Sequence, residues 1–185
     1  MAATSALAQA AALKDEGNDL YKVSEIAQAA EKYRQALALL DKVPSNPEAE
    51  DVAHKCRLNL AQCYLKLTSF EAAKALCDGV LEADPKSVKA LLRRGQAHLG
   101  LDDLRAAHRD LLAACRLEPA NREARGEYEE VKQVMEAHPT LADRLDDLRV
   151  VQQRAAAQLN HGQIEEARKA FELMRRECAS ETIAV

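Results

Sequence analysis

Residues 59–85 read NLAQCYLKLTSFEAAKALCDGVLEADP, and residues 93–119 read RRGQAHLGLDDLRAAHRDLLAACRLEP. The two segments carry the same pattern of small, apolar and proline positions, 34 residues apart. A period of this length is typical of stacked helical repeats. The positions that coincide are Asn59 with Arg93, Ala61 with Gly95, Ala73 with Ala107, Val80 with Ala114, and Pro85 with Pro119.

Each repeat is predicted to be a pair of antiparallel helices, because small residues recur where two helix backbones must approach closely. The small position of the first helix is Gly17, Ala61 or Gly95, its partner on the second helix is Ala29, Ala73 or Ala107, and an apolar anchor between them is Ile26, Phe70 or Leu104. Pro85 and Pro119 end their repeats, since proline cannot continue a helix. The first unit precedes the second by 44 residues rather than 34, and we assign the extra ten to the linker DKVPSNPEAED at 41–51.

Composition agrees with an all-α protein and excludes some functions. The chain has 6 Gly, 5 Pro, no Trp and 3% aromatic residues. Its 26 Lys and Arg face 30 Asp and Glu, a formal charge of −4, which argues against binding nucleic acid through overall charge. No apolar run is long enough to span a membrane. The N-terminus resembles neither a signal peptide nor an Arg-rich transit peptide, and the odd set of cysteines without a CxxC motif suggests reduced thiols, so we expect a cytoplasmic protein.

The domain plan follows the repeats. We predict a flexible N-terminus at 1–9, three repeats at 10–120 and a capping helix at 121–138, because a solenoid needs a cap on its exposed edge. A C-terminal helical hairpin is predicted at 139–178 and a flexible tail at 179–185. The hairpin is either a divergent fourth repeat or a protruding element that contacts a second protein or another copy of the chain.

Polar residues on the first helices indicate a binding site. Lys14 and Asn18 are four residues apart and share one helix face, as do Lys89 and Arg93, and Asn59 occupies the same repeat position as Arg93. Stacking therefore aligns these five donors along one wall. We expect no carboxylate among them, so the cations would repel one another unless an anion lay between them.

The pattern over residues 10–119 resembles the tetratricopeptide repeat. The resemblance implies a superhelix of helix pairs in which the first helix of each repeat lines a concave groove. The segments LKDEGNDLYK, RLNLAQCYLKL and KALLRRGQAHL are similar to the groove helices of carboxylate-clamp co-chaperones in this family.

That closer resemblance implies a partner and a set of binding residues. In the carboxylate-clamp class five residues bind the C-terminal EEVD of the heat-shock proteins 90 and 70. Carried over, these are Lys14, Asn18, Asn59, Lys89 and Arg93. Lys66 would extend the basic wall, and Tyr21 would flank a pocket for an upstream peptide side chain.

No catalytic or cofactor motif is present, and no metal ligands are predicted, so the chain is expected to be a binding module and not an enzyme. We expect no cofactor, no nucleic acid and no membrane as partner. Two alternatives stay open. The chain could be a scaffold for another carboxylate-terminated partner, or it could be the repeat region of a larger immunophilin-type isomerase, whose repeats the long linker and the RRGQAH stretch resemble.

Overall fold

The computed structural model describes residues 2–43, 46–138, 140, 143–146 and 148–150. Helices in this part run in the order α1 (Ala2–Lys22), α2 (Ile26–Leu40), α3 (Pro47–Lys66), α4 (Phe70–Ala83), α5 (Val88–Gly100), α6 (Leu104–Leu117) and α7 (Arg122–Ala137). Each helix packs against the next, and α3 also contacts both α1 and α5. The predicted all-α architecture of stacked antiparallel helix pairs is confirmed.

The two helices of each pair meet at the predicted small residues. Ala29, Ala61, Ala73 and Ala107 are fully buried, and Gly17 and Gly95 are buried too. A Cβ atom built on Gly17 would lie 2.8 Å from Cε1 of Tyr33 on α2, and one built on Gly95 would lie 2.9 Å from Cδ2 of Leu111 on α6. Glycine is therefore required sterically at these crossings, although it is a poor helix former.

The turn between paired helices has the same geometry in all three pairs. Ser24, Thr68 and Asp102 each adopt the left-handed conformation, with φ of 65°, 55° and 57°. The amide of the next residue then donates to a carbonyl five residues earlier, as from Ser69 N to Tyr64 O at 2.8 Å. A left-handed residue closes helix ends in this way. The common turn places successive first helices in the same orientation.

The linker before the second repeat is shorter than predicted. Helix α3 begins at Pro47, so residues 47–51 are helical and not part of a loop. The Asn46 side chain accepts the Glu48 amide at 2.8 Å, Pro47 stands in the first turn, and Ala49 is buried. An N-cap followed by proline is a strong helix start, and the sequence reading missed it.

The N-terminal segment also differs from the prediction. Residues 1–9 were predicted to be flexible, yet α1 begins at Ala2. Leu7 packs against the core of the first repeat, and Ala10 is fully buried. Alanine has the highest helix propensity, and a buried apolar face stabilises the added turns.

The segment after the third repeat is only partly described. Helix α7 covers most of the predicted capping segment and buries Ala124 and Val131 against the repeats. Beyond it, Arg105 of α6 forms ion pairs with Asp143 and Asp146. Most of the predicted hairpin at 139–178, and the tail at 179–185, lie outside the described residues.

The cysteines of the first two repeats are buried, free thiols. Cys56, Cys63 and Cys77 are fully buried. Burial raises the pKa of Cys56 and Cys63 to about 11 and that of Cys77 to about 12. Since the thiolate is the reactive form, these side chains act as small apolar core groups at neutral pH.

The first prediction concerns the helix crossing in the first repeat. Gly17→Ala should lower the free energy of unfolding by about 1–2 kcal/mol, because overpacking against the buried Tyr33 ring outweighs the gain in helix propensity. Gly126→Ala on α7 is the matched control, because no atom lies within 4 Å of a Cβ built there. It should raise the free energy of unfolding by about 0.5–1 kcal/mol. Urea denaturation measures both, and equal stabilisation by the two substitutions would contradict the packing argument.

Candidate functional site

Helices α1, α3, α5 and α7 are joined by a series of polar contacts along one side of the stack, and we call these contacts the polar ladder. Asn59 Nδ2 of α3 donates to Asn18 Oδ1 of α1 at 3.0 Å. Arg93 Nε of α5 donates to Gln62 Oε1 of α3 at 3.0 Å. Gln96 Nε2 of α5 donates to Glu127 Oε1 of α7 at 2.5 Å. The ladder shows that polar residues of successive first helices share one wall.

The two predicted asparagines are held together from behind. Asn18 Oδ1 accepts from both Asn59 Nδ2 and the Tyr33 hydroxyl, the latter at 2.8 Å. Tyr33 is buried, and burial raises its pKa to about 12, so its hydroxyl keeps the proton that it donates. Both asparagines are half-buried. The arrangement fixes the two amide groups on the wall before any ligand binds.

Lys14 is not the unpaired cation that we expected. Its Nζ lies 3.1 Å from Asp15 Oδ1, and Asn18 Nδ2 makes a long 3.4 Å contact with the same oxygen. The expectation of a wall without carboxylates is therefore wrong at α1. Asp15 is 67% exposed, and an ion pair of this kind contributes little. An anionic ligand therefore has only a weak competitor for Lys14.

Arg93 is the least satisfied charged group on the wall. The structure describes two buried side-chain polar atoms without a hydrogen-bond partner, Arg93 Nη1 and Glu127 Oε2. Burial lowers the pKa of Arg93, and its Nε–H donates to the neutral amide of Gln62. Buried donors are nearly always paired, and leaving one unpaired costs about 1–3 kcal/mol. Arg93 is thus a desolvated cation with a free donor.

Arg94, the next residue, has the opposite environment. It donates from Nε and Nη2 to both oxygens of Asp110, at 2.7 and 2.8 Å, and from Nη1 to Asp78 at 2.8 Å. The hydrogen bonds to Asp110 raise the pKa of Arg94 above its usual value. Arg94 therefore ties α4, α5 and α6 together, whereas Arg93 forms no ion pair with another described residue.

The remaining predicted residues lie at the edges of the wall. Lys66 and Lys89 are exposed and form no ion pair with another described residue. Tyr21 is half-buried and packs against the core of the first repeat. The structure thus joins Asn18 to Asn59, whereas Lys66 and Lys89 form no direct bond with the other described site residues.

Sequence reasoning missed three residues of this wall. Tyr33 supports the asparagines, Gln62 holds Arg93, and Glu127 ends the ladder. The 34-residue period contained a signal for the last two, because Gln62 is equivalent to Gln96, and Glu127 is equivalent to both Asn59 and Arg93. Tyr33 carried no such signal, since an aromatic residue on a second helix is most often part of the core.

In the described part of the chain, no group of three or more His, Cys, Asp or Glu side chains could hold a metal ion. None of the described helices combines the length and apolar character that crossing a membrane requires.

Comparison with known proteins identifies the repeat. Residues 24–99 match the family model of the tetratricopeptide repeat. The second such domain of human RPAP3, solved in complex with the HSP70 peptide SGPTIEEVD, is 31% identical, with a TM-score of 0.57 over 67% of this chain and 95% of that one. The chain belongs to the tetratricopeptide-repeat family.

Two further relatives show the range of proteins that carry this domain. The first such domain of Spaghetti (RPAP3), solved with the HSP90 peptide SRMEEVD, is 27% identical, with a TM-score of 0.59 over 69% of this chain and 93% of that one. The mouse peptidyl-prolyl cis-trans isomerase FKBP4 is 34% identical over 130 residues. That match covers 68% of this chain but only 28% of FKBP4, so the chain spans less than a third of that relative.

A prediction follows from the Gln62–Arg93 contact. Gln62→Glu should raise the free energy of unfolding by about 1 kcal/mol, because a carboxylate at the same position gives the buried guanidinium a counter-charge. Gln62→Ala should lower it by about 1–3 kcal/mol, since it removes the acceptor and leaves the Nε–H buried and unpaired. Thermal and urea denaturation distinguish the two. If both variants lose the same stability, Arg93 is not held as described.

Proposed function

We propose that this chain binds the free C-terminus of a protein partner in the groove beside the polar ladder, and that it acts as a co-chaperone or adaptor. The partner proposed is the EEVD terminus of heat-shock protein 90, heat-shock protein 70 or both. The observation that carries the proposal is Arg93, a desolvated cation whose Nη1 donor has no partner. A ligand carboxylate supplies both the missing acceptor and the missing negative charge.

A C-terminal aspartate fits this wall chemically. It presents two carboxylates within a few ångströms, one from the main-chain terminus and one from the side chain. Charge-assisted hydrogen bonds to carboxylates are about twice as strong as neutral ones. In the proposed site the carboxylates are bound by Lys14, Asn18, Asn59, Lys89 and Arg93, with Lys66 adding positive charge and Tyr21 flanking the upstream peptide.

The amide pair suits such a ligand because it is fixed in advance. Tyr33 and Asn59 both donate to Asn18 Oδ1, which orients the two Nδ2 groups. Preorganised donors reduce the entropy lost on binding, and this matters for an extended peptide that buries little apolar area. The two RPAP3 domains, which bind peptides ending in EEVD, have the same fold and 27–31% identity to this chain.

The proposed role is binding rather than catalysis. FKBP4 is a peptidyl-prolyl isomerase, and the match covers only 28% of it. A second candidate is therefore that this chain is the repeat region of a larger isomerase of that kind. A scaffold for a different carboxylate-terminated partner is a third candidate. We propose that the protein is cytoplasmic and binds the two chaperones there.

The test is calorimetric titration with a peptide ending in EEVD. The free-acid peptide should bind with about −7 to −9 kcal/mol, in the micromolar range. An amidated C-terminus should abolish measurable binding, and Arg93→Ala should lose about 2–5 kcal/mol because a desolvated carboxylate is left unpaired. Lys89→Ala should weaken binding without affecting the fold, since Lys89 is exposed. Affinity should also fall as salt is raised.

The matched control is Lys55→Ala, which removes an exposed cation of α3 that pairs with Asp51 at 2.6 Å. It should leave the affinity unchanged. If the folded protein does not distinguish the free acid from the amide, the carboxylate clamp is wrong. If it binds carboxylate-terminated peptides regardless of the EEVD sequence, the scaffold hypothesis replaces the hypothesis that the partner is a heat-shock protein.

A further inference from the structure

On α7, the repeat position that holds Asn59 in α3 and Arg93 in α5 is occupied by a carboxylate. Asn59, Arg93 and Glu127 follow one another at intervals of 34 residues on α3, α5 and α7. The contact from Gln96 to Glu127 repeats, one step along, the contact between Gln62 and Arg93. Glu127 therefore occupies on α7 the place that Asn59 occupies on α3 and Arg93 on α5.

Only one of the two Glu127 carboxylate oxygens has a hydrogen-bond partner among the described residues. Oε1 is held by Gln96, and Oε2 is buried without a hydrogen-bond partner. Glu123, one turn earlier, also accepts from Gln96 at 3.5 Å. Neither carboxylate forms an ion pair with a described cation. The negative charge of Glu123 does, however, favour the charged form of Arg93 and so raises its pKa, against the larger effect of burial. Burial raises the pKa of Glu127, and the nearby Glu123 and Glu130 carboxylates add to this shift. The α7 end of the groove thus lacks a positive charge, as the α5 end lacks a negative one.

We propose that Glu127, assisted by Glu123, binds a cationic side chain that lies about five residues upstream of the partner's terminal aspartate. This inference rests on the proposed function, because the carboxylate clamp places the terminal aspartate from which the upstream residue is counted. The groove then selects peptides with an acidic C-terminus and an upstream Arg or Lys.

The distances permit this contact. An extended peptide spans about 3.3–3.6 Å per residue, so a side chain five residues upstream begins about 17 Å from the terminal residue. Packed helices are about 8–10 Å apart, and α3 to α7 is two steps along the wall. A peptide whose terminal aspartate lies at the α3 and α5 donors, and whose chain runs toward α7, therefore brings that upstream residue to α7.

The peptides bound by the RPAP3 domains differ at this position. In SRMEEVD the fifth residue before the terminal Asp is Arg, and in SGPTIEEVD it is Thr. The proposal therefore predicts that this chain prefers the HSP90 peptide to the HSP70 peptide. It also predicts that this preference depends on the contact between the peptide arginine and Glu127.

The experiment is a double-mutant cycle measured by calorimetry at pH 8. The full chain and its Glu127→Gln variant are each titrated with SRMEEVD, with the same peptide carrying Ala in place of Arg, and with SGPTIEEVD. For the wild-type chain, loss of the peptide arginine should weaken binding about fivefold or more. For Glu127→Gln the arginine should make less than a twofold difference. Glu129→Gln is the matched control, because Glu129 is an exposed carboxylate of the same helix that contacts Lys132 at 3.8 Å.

Other outcomes overturn the inference. If Glu127→Gln weakens both SRMEEVD and its alanine variant equally, Glu127 acts only by positioning Gln96. If it strengthens both, the carboxylate merely repels the glutamates of the peptide. Binding of every EEVD peptide without any arginine preference refutes this inference and leaves the proposed function intact. No binding of any EEVD peptide by the folded chain refutes the proposed function itself.

Discussion

The architecture depends on the close crossing of the two helices within each repeat. Gly17, Ala61 and Gly95 occur at those crossings, and side chains such as Tyr33 and Leu111 fill the space that a larger residue would need. The close crossing, together with the left-handed turn shared by the three pairs, sets the orientation of every first helix. The polar ladder is a consequence of that packing, because residues spaced by one period then lie side by side.

A solenoid built in this way can pair some of its buried charges and leave others for a ligand. Arg94 and Arg93 are neighbours in sequence, yet Arg94 meets two carboxylates whereas Arg93 meets one neutral amide. The paired arginine stabilises the stack of α4, α5 and α6. Arg93 keeps a desolvated charge beside the polar ladder, which costs stability in the free protein and, in the proposed function, is offset when a carboxylate binds. Glu127 is the same kind of residue with the opposite sign.

The repeat framework was readable from the sequence because it depends on periodicity. The spacing of Ala61, Gly95 and their partners predicted the helix pairs, and the donors of the wall followed from the same register. Ion pairing was harder to read. Adjacent charges such as Lys14 and Asp15 point about 100° apart on a helix, yet a long side chain can bend back, and the structure shows this contact at 3.1 Å. The start of α3 at Pro47 depended on local capping by Asn46, which the period does not report.

The account depends most on the idea that the Arg93 guanidinium binds a carboxylate of the partner. A crystal structure of the chain with an EEVD peptide tests this directly. We predict a carboxylate oxygen of the terminal aspartate about 2.7–2.9 Å from Arg93 Nη1, with the Gln62 contact retained. A complex in which Nη1 still has no acceptor, while the peptide lies elsewhere on the surface, would contradict it.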